Sequence, residues 1–189
     1  TKTKSLRTIP IFRWILDEVF GTGQFSSTQI KCDDCCLRVL RNGTVQYSHQ
    51  LLAAGIVHPE PQSVLPRFPE ALTRQDGESK TDGERHAAKR LLPAIRATFP
   101  KLKLIVLEDS LAANAPHLRL LHAEHLSYII VVKDSDHAYL KDQVATRIAG
   151  GEGRQLEVRE GKILRQYRYL NQVPLNQSNL DLLVNYLEY

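Results

Sequence analysis

The chain has 189 residues, 42% hydrophobic and 24% charged, which suits an ordinary globular protein of one domain, or one domain with an appendage. No apolar run approaches the roughly 18 residues a membrane span needs, and three clustered cysteines argue against a disulfide framework, so the cytosol is the expected compartment. The formal net charge is +4, and residues 1–50 hold seven Lys and Arg against four Asp and Glu, a bias that permits an anionic partner without requiring one.

The opening "TKTKSLRTIP" is basic but lacks the apolar stretch of a secretory signal. "IFRWILDEVF", residues 11–20, is an apolar run that reads as a strand or a short helix, and "GTGQFSS" follows as a glycine-punctuated turn. Asn42-Gly43 is a strong hairpin signal, and the residues after it predict a long strand ending at Pro59. The prolines of "SVLPRFPEAL" limit that piece to an edge or irregular strand.

Thr81 with Glu84 has the capping-box spacing, and Ala88, Leu91, Leu92, Ile95 and Phe99 then share one helical face, with Pro93 inside the helix. A buried strand at 104–107 runs into two acids, Glu108 and Asp109. Asn114 and Pro116 then open a helix from about Ala115 to His125, and "SYIIVVK", residues 127–133, is a further buried strand. From about residue 151 the texture becomes apolar–polar alternation around Glu160-Gly161, a β-rich hairpin pattern. The chain starts with Thr, has no Met and stops inside the alternating "NYLEY", so it reads as a fragment.

Several residues invite a chemical reading. In open α/β sheets ligands gather beyond the carboxyl ends of strands, where Asp109 sits, although on local pattern alone an Asp there more often caps a turn. Cys32 and Cys35, in "KCDDCC", have the spacing of half a zinc site, with His49 or His58 as the nearest further donors in the sequence. Reduced cysteines packed in a loop or hairpin are the preferred reading over zinc. Lys89 and Arg90 could face a DNA backbone or could simply be solvated. "GGEG" at 150–153 lacks the context of a phosphate loop and reads as a flexible entry to the β-rich part. The histidines at 86, 117, 122, 125 and 137 show no metalloprotease spacing and read as surface or helix-capping residues.

The blocks "NGTVQYSHQLLAAGIVHPE", "QDGESKTDGERHAAKR", "KLIVLEDSLAANAPH", "VKDSDHAYL" and "VPLNQSNLDLLVNYLEY", in this order and at similar spacing, resemble the DDE-type transposases of bacterial insertion sequences, from about Gly21 to the last residue. The resemblance implies an α/β fold, a ribonuclease-H-like mixed sheet flanked by helices over residues 15–142. A β-rich insertion, truncated at its C-terminus, would follow over 143–189. It implies Mg²⁺ or Mn²⁺ held by three acids, double-stranded transposon-end DNA as partner, and a dimer or larger assembly. Asp109 matches the second acid. The position of the first is Phe20, with Asp17 three residues earlier as a weak substitute, and the third would lie beyond residue 189. Three readings follow: the middle of an active transposase, a decayed and catalytically dead relative, or a DNA-binding or scaffold module. On ligand count, strand cleavage by this chain is not expected, because one secure carboxylate cannot hold two Mg²⁺ ions.

Overall fold

The computed structural model describes residues 14–19, 26–57, 64–73, 80–133 and 135–189. Phe20 and His58 lie outside these residues, and the strand carrying Asp17 is described by its backbone. The chain divides into two compact units, residues 1–112 with 120–130, and residues 113–119 with 131–189.

In the first unit, β1 (Trp14–Val19), β5 (Gln50–Val57), β6 (Leu65–Leu72), β7 (Leu104–Glu108) and β8 (Ser127–Ile130) form one sheet in the order β6-β5-β1-β7-β8. β1 is central. It pairs antiparallel with β5, Asp17 opposite Gly55, and parallel with β7, Asp17 opposite Leu107. β7 is therefore an interior strand, with β1 on one side and β8 on the other. Within the run at 11–20, the described residues Trp14–Val19 form a strand, and the proline-bearing β6 takes an edge.

Helix α1 (Lys80–Thr98) begins one residue before Thr81 and continues through Pro93. It packs mainly on β6, with lesser contact to β5. Its apolar face buries Ala87, Ala88, Leu91, Leu92 and Ile95, while Leu52, Ala54 and Ile56 of β5, Leu72 of β6 and Leu104 and Val106 of β7 are also buried. A fully buried side chain such as Ile95 contributes about 1.5–3 kcal/mol by leaving water. From the last turn of α1, the Arg96 guanidinium donates to the carbonyls of Phe99, Leu102, Glu124 and His125 at 2.9–3.1 Å, fastening the approaches to β7 and β8.

A second sheet in this unit has the order β2-β4-β3, from β2 (Ser26–Ser27), β3 (Cys36–Val39) and β4 (Val45–Ser48). The expected long strand is thus broken at His49, between β4 and β5.

Helix α2 (Ala115–Ala123) opens as the sequence indicates: the Asn114 side chain accepts the His117 N–H at 3.1 Å. It closes with His125 in the left-handed region (φ 51°), the Leu126 N–H reaching the Leu121 carbonyl and the His125 N–H that of His122.

The second unit contains α3 (Ala138–Ala149) and a meander of β9 (Arg154–Glu160), β10 (Ile163–Asn176) and β11 (Asn179–Glu188), ordered β11-β10-β9. Leu140 and Val144 of α3 meet Leu170 and Val173 of β10, with Ile148, Val184 and Tyr186 packed around them. "GGEG" proves to be a helix stop. Gly151 (φ 85°) and Glu152 donate backward to the carbonyls of Ile148 and Arg147 in a Schellman arrangement.

The expectation of an α/β, ribonuclease-H-like sheet flanked by helices is corrected by this architecture. Among the described residues strand outweighs helix, and the strands divide among three sheets beside three α-helices. The physical reason lies in the connections. Six strands precede α1 and three follow α3, joined largely antiparallel, and antiparallel neighbours need turns rather than crossover helices.

Candidate metal centre

The Asn42-Gly43 turn sets the geometry of the small sheet. Gly43 takes φ 82°, which a residue with a side chain adopts only at a cost, and the Leu40 N–H closes the turn on the Thr44 carbonyl at 2.9 Å. From there the ladder runs Val39–Val45, Arg38–Gln46, Leu37–Tyr47 and Cys36–Ser48. One step further, Cys35 and His49 leave the two strands side by side.

A turn at Cys32–Cys35, in which the Cys35 N–H donates to the Cys32 carbonyl at 3.4 Å, folds the first cysteine back onto the second. Three donor atoms converge as a result. Cys32 Sγ and Cys35 Sγ are 3.2 Å apart, and His49 Nε2 lies 3.4 Å from the first and 3.5 Å from the second. The Cys32 N–H donates to Cys35 Sγ at 3.2 Å. Cys35 is buried, Cys32 and His49 are exposed, and none of the three cysteines is in a disulfide. The hydrogen bond with Cys35 pushes the Cys32 thiol above its ordinary value. A cation between the sulfurs inverts that preference. Cys36 is turned elsewhere, its Sγ 3.6 Å from the Leu72 carbonyl.

Asp109 stands just past β7. Glu108 is buried and Asp109 exposed, as neighbours at a strand end should be when successive side chains alternate faces. The Asp109 carboxylate accepts the Leu111 N–H at 2.9 Å and its carbonyl the Ala112 N–H at 3.2 Å, opening the short 3₁₀ turn Ser110–Ala112. The capping role is therefore present. Asp17 lies in register with Leu107, two residues back along the neighbouring strand. Two magnesium ions need several oxygen donors. Among the described residues no group of three ligating side chains includes Asp109, so they do not build a two-magnesium site.

Of the basic pair, Lys89 is exposed on α1, whereas Arg90 pairs with Glu70 at 2.5 Å and donates to the Ala71 carbonyl at 2.9 Å, tying α1 to β6. His122 stacks on Tyr128, with Nε2 3.2 Å from its hydroxyl, and burial raises that phenol above its ordinary value. His117 is buried and His125 closes α2.

Sequence reasoning left His49 and His58 as equal alternatives. Counting back from the Asn-Gly turn would have chosen His49, since a two-strand ladder centred there brings positions 35 and 49 together. No family model matches this chain, and no curated protein does.

Proposed function

We propose that this chain is a segment of a DNA transposase, related to the DDE-type enzymes of insertion sequences, that engages double-stranded DNA without completing the acid set for cutting it. The observation that carries this is the parallel pairing of β1 and β7. Their carboxyl ends lie at the same end of the sheet, and in the sequence the two positions that the family resemblance gives to its first and second acids, Phe20 and Asp109, directly follow those strands. Asp109 is exposed there, available to a ligand beyond its turn-capping bond.

An aromatic residue at the first position offers no oxygen, which favours the catalytically silent form of this reading. DNA affinity would come from Lys and Arg contacts to phosphates, Lys89 among them, and is independent of the acids. Mg²⁺ or Mn²⁺ belongs to the intact family's chemistry and would enter at Asp109 only with acids supplied from elsewhere.

The test pairs two assays. Fluorescence anisotropy with a duplex should show binding that weakens steeply as salt rises. A supercoiled plasmid incubated with Mg²⁺ or Mn²⁺ should remain uncut by the chain and by Asp109→Ala alike. Absence of salt-dependent binding at low ionic strength overturns the proposal. Nicking by the chain but not by Asp109→Ala overturns its silent form.

A further inference from the structure

We propose that Cys32, Cys35 and His49 bind a zinc ion, and that the ion staples the β2–β3–β4 sheet.

The first argument is geometric. With Zn–S of about 2.3 Å and Zn–N of about 2.0 Å, tetrahedral zinc holds two sulfurs about 3.8 Å apart and a sulfur and a nitrogen about 3.5 Å apart. The distances here are 3.2 Å between sulfurs and 3.4 and 3.5 Å from sulfur to Nε2. The three atoms already surround one point, and a small opening of the Cys32–Cys35 turn completes the fit. The second argument is donor chemistry. Two thiolates and an imidazole form a soft-to-borderline set that selects zinc over magnesium or calcium.

The third argument is what the sheet otherwise lacks. Its strands have two, four and four residues, and between Ser26 and Gln50 the one buried residue is Cys35. Leu37 and Val39 point into solvent at 42% and 69% exposure. The apolar face of this sheet, Leu37 and Val39 opposite Tyr47 and Val45, is at most half-buried, which leaves little to hold it, and small segments without a buried core are the usual place for a structural metal. Three protein donors leave one tetrahedral position for a water or an outside donor. Cys36 is not a candidate for it, being directed at the Leu72 carbonyl.

The experiment uses the whole chain, purified under reducing conditions, exposed to ZnCl₂ and dialysed, with bound zinc measured by mass spectrometry. Cobalt replaces zinc in a parallel sample, where thiolate-to-cobalt charge-transfer absorption reports sulfur ligation directly. The expected result is one tightly held metal per chain with a tetrahedral, sulfur-bearing cobalt spectrum. Cys32→Ser and His49→Ala should each weaken binding by more than the roughly 100-fold that changes outside the ligand shell cost. Cys36→Ser should bind as the parent does. The cobalt spectrum of the unaltered chain keeps the test valid if a variant fails to fold. A chain that retains no stoichiometric metal, a cobalt spectrum without sulfur ligation, or a Cys36→Ser loss equal to that of Cys32→Ser overturns the proposal. None of these readouts depends on DNA.

Discussion

Two three-stranded antiparallel sheets in this chain begin from the same device and end with different means of support. The β2–β3–β4 sheet and the β9–β10–β11 sheet each contain a hairpin turned on a glycine with positive φ, Gly43 in one and Gly161 in the other. The second then lays Leu170 and Val173 under a helix and buries Leu175 and Leu182 as well. The first buries one cysteine. A hairpin turn thus sets register in both, but register is not stability. One sheet draws stability from apolar area, whereas the other converges three donor atoms where a core would be.

The comparison breaks first at its strongest point. Leu140→Ala removes a side chain only 2% exposed from the helix over the β9–β11 sheet, and should destabilise the second unit by about 3 kcal/mol. Denaturant titration followed by hydrogen exchange measures it, and a loss below 1 kcal/mol, on the order of a surface change, would remove the contrast.

Chelation probes the other half. At free zinc about 100 times its dissociation constant, the ion contributes about 2.7 kcal/mol, so stripping it should cut amide protection around residues 32–49 by about 100-fold. Protection of the β10–β11 ladder should hold. An equal fall in both sheets would show that the ion is not a local staple.

The two turns provide a matched pair. A Cβ added at Gly43 or Gly161 meets nothing within 4 Å, so alanine at either position pays only for its left-handed backbone, about 1–2 kcal/mol. The intrinsic cost is the same, but metal affinity should fall with Gly43→Ala and stay unchanged with Gly161→Ala. Cobalt titration of both variants separates the outcomes.

The smallest effect is electrostatic. Arg119 donates to both carboxylate oxygens of Asp181 at 2.8 and 3.0 Å and holds its pKa below the ordinary 3.8. A lowered folded value stabilises the fold at pH above the unfolded carboxylate's range, and that contribution is lost as pH falls through the Asp181 value. Both partners are exposed, so the effect is small. Thermal melts of Asp181→Asn against the parent should differ slightly at neutral pH and converge in acid.

Local patterns read well where a residue's role is decided by its near neighbours. The Asn42-Gly43 turn, α1 with its apolar stripe, β7, the Asn114 cap and the hairpin at Gly161 were all legible. Pairings across long sequence distances were not. Nothing in "WILDEV" indicates that it should enter between β5 and β7, because its partners lie about 40 and 90 residues away. Helix α3 was missed because its buried stripe is narrow, Leu140 and Val144 with Ile148 half-buried, and no favourable side chain caps its start at His137. The overall class was misjudged for a related reason: a family resemblance carried the expectation of flanking helices, while the turns were already indicating antiparallel connection. At the candidate centre, the cysteine spacing was visible and the choice of histidine was not, since that choice depends on ladder register.

The edge position of β6 has a consequence of its own. A sheet's outer strand offers unpaired donors and acceptors to any passing extended segment, and sheets that leave such a margin open grow by recruiting neighbouring molecules. Pro66 and Pro69 lie in this strand and carry no N–H to offer. An incoming chain would find gaps in the ladder within a span of four residues. At this margin two missing hydrogens stand in the same short strand as two charged residues, Arg67 and Glu70, and both features disfavour the pairing of a further strand.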